Sequence, residues 1–290
     1  KKPMLALGVT GDVGAGKSTV SRIWAEMGAS VLDADEIVRS LWKRADIIEA
    51  ASSRWGKDIL GEDGVIVPRK IAAKAFSDPE EYRWMCGLLH PPVRVEMERT
   101  AASLEGWVVA EIPLLFEGGV PWWIDATAYV TADSALRASR NAARGMDSAE
   151  LERRETFLLP GEEKKSRATI VLDNSGTMEE LAGQARETGC LFRRLSGLAQ
   201  FSVLFGSRDE ASGCTGLISA ERLGTRFECR KVMAGVEGEE AWSLTFFTLE
   251  HLFFRLVSHP SITSARGLHM VSVRRIPYGR RLAISGELLP

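Results

Sequence analysis

Residues 11–19 read Gly11-Asp12-Val13-Gly14-Ala15-Gly16-Lys17-Ser18-Thr19, GDVGAGKST, directly after the apolar run MLALGVT. Gly11, Gly16, Lys17 and Ser18 fill the pattern G-x-x-x-x-G-K-[ST]. The glycines let the backbone wrap an anion and turn its N–H groups inward. Lys17 brings charge to the β/γ-phosphates, and the Ser18 hydroxyl suits Mg²⁺. The motif needs a strand before it and a helix after it. LALGV supplies the strand, while Val20, Ile23, Trp24 and Met27 recur at i, i+3, i+4 and i+7, an apolar helical stripe. The partial positive charge of that helix start then adds to the anion site. The stretch is read as a nucleotide phosphate site.

Working outward, LALGV, SVLDA, GWVVAEI, ATAYVT and ATIVLDN are short, apolar strand candidates separated by helical stretches. That alternation predicts an α/β fold, a parallel sheet with crossover helices. Residues 36–104 are far longer than a simple crossover and are expected to form a helical substrate-side insertion. A second charged helical segment, residues 134–166, has the pattern of a mobile lid. Together these delimit a first domain at residues 1–190. Residues 191–200 read as a linker. From Phe201 the pattern restarts as β-α-β-β-α-β, with strands FSVLFG, FECRKVMAG, AWSLTFFTL and LHMVSVRRI and helices RDEASGCTGLISAERLG and LEHLFFRLVSHP, which predicts a ferredoxin-like α+β domain at 201–290.

The 290 residues are 45% hydrophobic and 26% charged, a globular composition, and no apolar run reaches the roughly 20 residues of a membrane span. Cys86, Cys190, Cys214 and Cys229 lack C-x-x-C spacing, so neither a zinc site nor a disulfide framework is expected, and a cytoplasmic location is. The net charge of −2 gives no reason to expect nucleic acid. Charge is uneven: 24 Lys/Arg face 30 Asp/Glu in residues 1–190, against 13 and 9 in residues 191–290. The arginines of RRIPYGRR (Arg274, Arg275, Arg280, Arg281) are a solvated strand end or an anion or partner surface.

A P-loop alone does not name a reaction. In VLDADEIVR, Asp33 and Asp35 follow the second strand, and ligands of open parallel sheets sit beyond the strands' carboxyl ends. Asp33 is therefore expected near the γ-phosphate, able to take a proton from an attacking hydroxyl or help hold Mg²⁺, with Asp35 capping the next helix. Arg137, Arg140 and Arg144, spaced by three and four, predict one helical face. Arginines arriving from a closing lid stabilise a transferring phosphoryl group and exclude water. The guanine signature N-K-x-D is absent.

GDVGAGKST, ASVLDADEIVR, LLHPPV, EIPLLFE, the spaced arginines, EEK and VLDNSG stand in the order found in dephospho-CoA kinases, and residues 4–190 resemble that family. The resemblance implies ATP-dependent phosphorylation of the dephospho-CoA ribose 3′-hydroxyl. It makes Asp33 the base and assigns Lys17 and Ser18 to ATP and Mg²⁺. Arg140 and Arg144 go to the lid, with Asn174 and Gly176 near adenine. Arg39, His90 and the segment Pro113-Leu114 to Glu117 fall on the acceptor side; His90 alternatively caps or packs the insertion. The chain departs from the pattern at Asp12 (usually glycine), Glu111 (usually Asp), Arg137, Leu158 and Thr169. Asp12 is expected to weaken ATP binding, as a like charge near the triphosphate. In the last hundred residues, ERLGTRFECRKV, the acidic stretch before Trp242 and HPSI resemble the divalent-cation-tolerance (CutA-like) family, small trimers built by edge-strand pairing, which implies an assembly role. His251, His259 and His269 are singletons, read as surface or packing residues.

Overall fold

The computed structural model describes residues 4–146, 148–195, 199–220, 225–234, 239–248, 270–275 and 282–285. Five strands, β1 (Met4–Gly11), β2 (Ser30–Asp33), β3 (Gly106–Glu111), β4 (Ala126–Thr131) and β5 (Ile170–Asp173), fall where the apolar runs placed them. They form one sheet in the order β2-β3-β1-β4-β5, parallel throughout. β1, β3 and β4 are almost wholly buried, which is why they read as continuous apolar runs rather than alternating ones.

Helix α1 (Lys17–Glu26) lies against one face of the sheet with the far helix α9 (Met178–Leu195) beside it. Val20, Ile23 and Trp24 join Leu181, Ala185 and Phe192 in one core over Leu5, Leu7, Val9 and Val109. The Trp107 ring stands 5.8 Å from Trp24 and 6.2 Å from Phe192, and the Trp24 indole donates to the Ala185 carbonyl at 2.7 Å. Within the stretch read as a linker, an apolar stripe reaching buried Phe192 keeps the chain helical to Leu195, and the next described strand begins at Ala199.

The long stretch between β2 and β3 is helical: α2 (Ala34–Leu41), α3 (Ala45–Trp55), α4 (Pro68–Ala75) and α5 (Pro79–Ser103), with a short 3₁₀ turn at Lys57–Ile59. It has a core of its own, Ala51, Trp55, Ile59, Ile66, Ile71 and Ala75, closed by a T-shaped Trp55–Trp84 pair at 4.8 Å. Asp78 starts α5 by accepting from the Glu80 and Glu81 N–H groups, with Pro79 at its first position. Pro91 and Pro92 lie inside that helix and each removes an i→i−4 bond, beside His90.

Three helices, α6 (Ser134–Ala142), α7 (Ser148–Glu155) and α8 (Gly161–Arg167), connect β4 to β5. α6 stops at Ala142, so Arg144 sits in the following turn rather than on the expected shared face with Arg137 and Arg140.

A second sheet, antiparallel, contains β6 (Ala199–Phe205), β7 (Thr225–Ala234), β8 (Glu239–Thr248), β9 (Met270–Arg275) and β10 (Leu282–Ser285), in the order β10-β9-β6-β8-β7, with helix α10 (Arg208–Ala220) against it. The expected second helix of this region, the HPSI segment, the three singleton histidines and Arg280 and Arg281 lie outside the described residues. β7 meets the β3–β4 connection. Met233 N–H donates to Val120 O at 2.6 Å, Trp122 N–H to Met233 O at 3.1 Å, and the Arg230 guanidinium to Asp125 O at 2.6 Å. Leu204, Val232 and Ala241 share one buried cluster with Phe116, Val120, Trp123 and Ile124.

Candidate functional site

The site is assembled at the carboxyl ends of β1, β2 and β3. The loop after β1 delivers Gly16 at φ 97° as the N-cap of α1, with no side chain capping it, so the first N–H groups of the helix are left for an anion. A side chain at Gly16 is excluded twice over: by the left-handed backbone, and because a Cβ there would lie 2.4 Å from Asn174 Nδ2. Buried Asn174 donates from that nitrogen to Ala15 O at 2.8 Å, and from α6 Asn141 donates to Val13 O at 3.1 Å. Two asparagines thus hold the loop from behind.

Lys17 Nζ lies 3.1 Å from Glu111 Oε1, and the Ser18 hydroxyl donates to the same oxygen at 3.0 Å. Glu111 ends β3 and stands in register with Asp33 at the end of β2. A hydroxyl and a carboxylate oxygen side by side, next to the phosphate loop, are the hard donors Mg²⁺ takes. Among the described residues no group of three His, Cys, Asp or Glu is arranged to hold a metal ion.

Asp33, and not Asp35, caps α2: its Oδ1 accepts from the Asp35 N–H at 2.8 Å. Its Oδ2 faces Arg39 at 3.6 Å and the cleft beyond. The carboxyl of Asp35 is raised above its ordinary value, first by desolvation and further by Asp33 and Glu111, with Lys17 and Arg39 opposing.

On the other side, Arg140 donates to Asn174 O at 3.2 Å and keeps Nη1 buried without a hydrogen-bond partner. Such a donor is costly unless something accepts from it. Arg137 is occupied, pairing with Glu155 of α7 and donating to Ala132 O at 3.1 Å. Arg144 is exposed. Gly176 packs against Glu180, which closes a capping box with Thr177 at the start of α9.

The Pro113–Glu117 segment lies over the end of β1, with Thr10 donating to Pro113 O at 2.9 Å, and it turns back by a Gly118 N–H to Leu114 O bond. Glu117 accepts from Leu159 N–H at 3.1 Å and from Lys164 Nζ at 3.2 Å. His90 sits beside Gly118, and burial, then Arg94, pushes its pKa down. A cavity of about 1340 Å³ is lined by Asp35 and Arg39, both in contact with Asp33, and by Trp42, Arg69, Arg153 and Arg154 among others. Phe157 packs on Tyr82 (4.7 Å) and Phe76 (5.7 Å), with the Arg154 guanidinium 5.2 Å above the Phe76 ring.

Asp12 is turned away from its expected position. One oxygen accepts from the Thr131 hydroxyl at 3.1 Å and the other lies 3.9 Å from Lys164 Nζ. Thr169 exchanges hydrogen bonds with Thr127, tying the start of β5 to β4. Glu111, Asn141 and Lys164 were not singled out as site residues from sequence. Glu111, ending a strand inside EIPLLFE, and Lys164, the last residue of EEK, carried a local signal.

The dephospho-CoA kinase (CoaE) family model matches residues 5–180. A curated dephospho-CoA kinase of Deinococcus radiodurans is 42% identical over 183 residues, covering 61% of this chain and 87% of the relative. That of Corynebacterium diphtheriae is 35% identical over 190 residues, covering 63% and 95%. Among solved structures, TT1252 from Thermus thermophilus is similar at 33% identity and a TM-score of 0.50, over 66% of this chain and 97% of that one.

Proposed function

The chain belongs to the dephospho-CoA kinase family, and its reaction is transfer of the ATP γ-phosphoryl group to the ribose 3′-hydroxyl of dephospho-CoA, the last step of coenzyme A synthesis; we propose that Asp33 is its general base and that the cavity beside it receives the acceptor. The observation carrying this assignment is the register of Asp33 with Glu111, which faces Lys17 of the phosphate loop, while the two residues that Asp33 contacts, Asp35 and Arg39, line the cavity. With Oδ1 fixed by the cap, Oδ2 is held ready to take the 3′-hydroxyl proton.

Residues 11–19 hold the triphosphate through backbone N–H groups and Lys17, which leaves Glu111 for the β/γ-phosphates. Ser18 and Glu111 would hold Mg²⁺, which when bound neutralises charge on the β- and γ-phosphates. Arg140 turns its unpartnered nitrogen on the transferring group. Asn174 and Gly176 border the adenine side, with Arg144 brought in from the lid, residues 134–166. Arg39, His90, Pro113, Leu114 and Glu117 form the acceptor side with residues 36–104. Arg39, Arg69, Arg153 and Arg154 give the cavity a cationic lining suited to a pyrophosphate-bearing nucleotide. Together these make up a first domain at 1–190, in a cytoplasmic enzyme.

Residues 201–290 are read as a ferredoxin-like, CutA-like module that assembles copies of the chain, in a trimer. The sheet order β9-β6-β8-β7, antiparallel, supports this reading. Light scattering of the full chain tests it, and a monomer at all concentrations would remove it.

The decisive experiment is ADP release by the purified chain with Mg-ATP, with and without dephospho-CoA, beside a panel of nucleosides and nucleoside monophosphates. ADP and CoA formed only with dephospho-CoA are expected. Turnover with another acceptor and none with dephospho-CoA would reassign the substrate.

A further inference from the structure

Asp12 places a carboxylate inside a loop whose chemistry requires the opposite sign. The loop's own lysine is engaged elsewhere, since Lys17 faces Glu111, and Arg137 of the neighbouring helix pairs with Glu155. What meets Asp12 instead is a cation from α8. The Lys164 side chain is 1% exposed, its ammonium 3.2 Å from Glu117 and 3.9 Å from Asp12. Thr131 donates to the second Asp12 oxygen, and the Tyr129 phenol, its pKa raised by burial and then by Asp12, faces the same carboxylate. The ionisable groups facing the ammonium are thus Asp12 under the phosphate loop and Glu117 on the β3–β4 connection, with Tyr129 beside Asp12.

We propose that Lys164 is a positioning residue that neutralises Asp12 beneath the phosphate loop and keeps that carboxylate turned away from the triphosphate, while Glu117 holds the ammonium in place. A buried ammonium needs a partner and is anchored by Glu117, whose own position is fixed by the Leu159 N–H. From that anchor it cancels most of the field Asp12 exerts on the cradle, because the ion pair sits in a low-dielectric interior where screening by water is weak. The cation belongs to the segment between β4 and β5. The donor loop and the acceptor-side connection therefore share one charge, and neither can move far without the other. This inference rests on the reading of residues 11–19 as the ATP site.

The test is steady-state kinetics of wild type, Lys164→Met and Lys164→Met/Asp12→Asn, with folding checked by thermal melts. Wild-type turnover with Mg-ATP and dephospho-CoA establishes the ATP site separately; its absence would sink that reading rather than this one. Lys164→Met is expected to raise the ATP KM about tenfold, the order that one nearby uncompensated charge produces. Adding Asp12→Asn is expected to recover most of that loss. A role confined to packing gives no such rescue, because deleting a second charge restores no packing. An unmoved ATP KM in folded Lys164→Met, or a double variant no better than the single, overturns the proposal. Where Lys164→Met does not fold, Asp12→Asn alone decides. A fall in ATP KM of about twofold fits a charge already neutralised, and a fall of tenfold or more shows one that is not.

Discussion

Asp33 joins two tasks in one carboxylate: Oδ1 caps α2 and Oδ2 faces the cleft. Asparagine caps a helix about as well as aspartate but cannot take a proton. Asp33→Asn is therefore expected to leave the melting temperature and ATP binding near wild type while kcat falls by about 10²–10⁴, the range of a lost general base. Loss of stability together with activity would show that capping was its only task. His90 yields a second residue-level expectation. Its pKa is depressed from 6.5, so the unfolded chain binds its proton first as pH falls. His90 thus costs nothing well above pH 6.5, starts to destabilise the fold as pH drops through that value, and reaches its full cost below the depressed folded value. A series of thermal melts from pH 8 to 5 should be shallower for His90→Gln than for wild type. Equal slopes would place the acid sensitivity elsewhere. His90 could be singled out from LLHPPV, but its burial against Gly118 could not, since that contact joins α5 to a loop from another part of the sheet.

At the scale of elements, the five strands and α1 were legible because each is set by a local pattern: continuous apolar runs for strands buried on both faces, and a 3.6-residue stripe for the helix. Ends were less so. The capping assignment between Asp33 and Asp35 turned on where β2 stopped, and the end of α9 on one buried phenylalanine, Phe192. Asn141 carried no local signal and Lys164 none of its role beyond its place in EEK, because their partners are Val13, Asp12 and Glu117, brought together only by folding. The same long-range logic joins the segment 134–166 to the insertion, where Phe157, beyond α7, rests on Phe76 and Tyr82. Two aromatic contacts contribute about 1–3 kcal/mol in total. If they hold the segment 134–166 over the acceptor, Phe157→Ala should raise the KM for dephospho-CoA about tenfold and leave that for ATP within about twofold. Initial rates with each substrate varied in turn make the comparison. An equal rise for both would mean that the contact shapes the whole segment rather than the acceptor side.

Across the whole molecule, the second sheet does not hang from the first by a tether but seats β7 on the connection that carries Glu117. The closest approach is at Gly119, which has φ +83° and whose absent Cβ would lie 1.9 Å from Met233 Cγ. A β-branched residue there meets both a left-handed backbone and an occupied volume, so Gly119→Val should destabilise the chain by about 1–3 kcal/mol. The damage has a definite address. The Met233 N–H to Val120 O and Trp122 N–H to Met233 O bonds hold the seam together, and their amides should exchange faster with solvent in the variant while those of β1 keep their protection. Glu117 lies two residues upstream in the segment proposed for the acceptor side, so the KM for dephospho-CoA should rise with the loosening. Hydrogen exchange and initial-rate kinetics on the full chain read both. Faster exchange without a change in KM would make the seam a matter of stability alone. Unchanged exchange would mean that β7 does not depend on this glycine for its seat. The joint outcome would make residues 201–290 a working buttress of the acceptor side, joined to it by packing as well as by sequence.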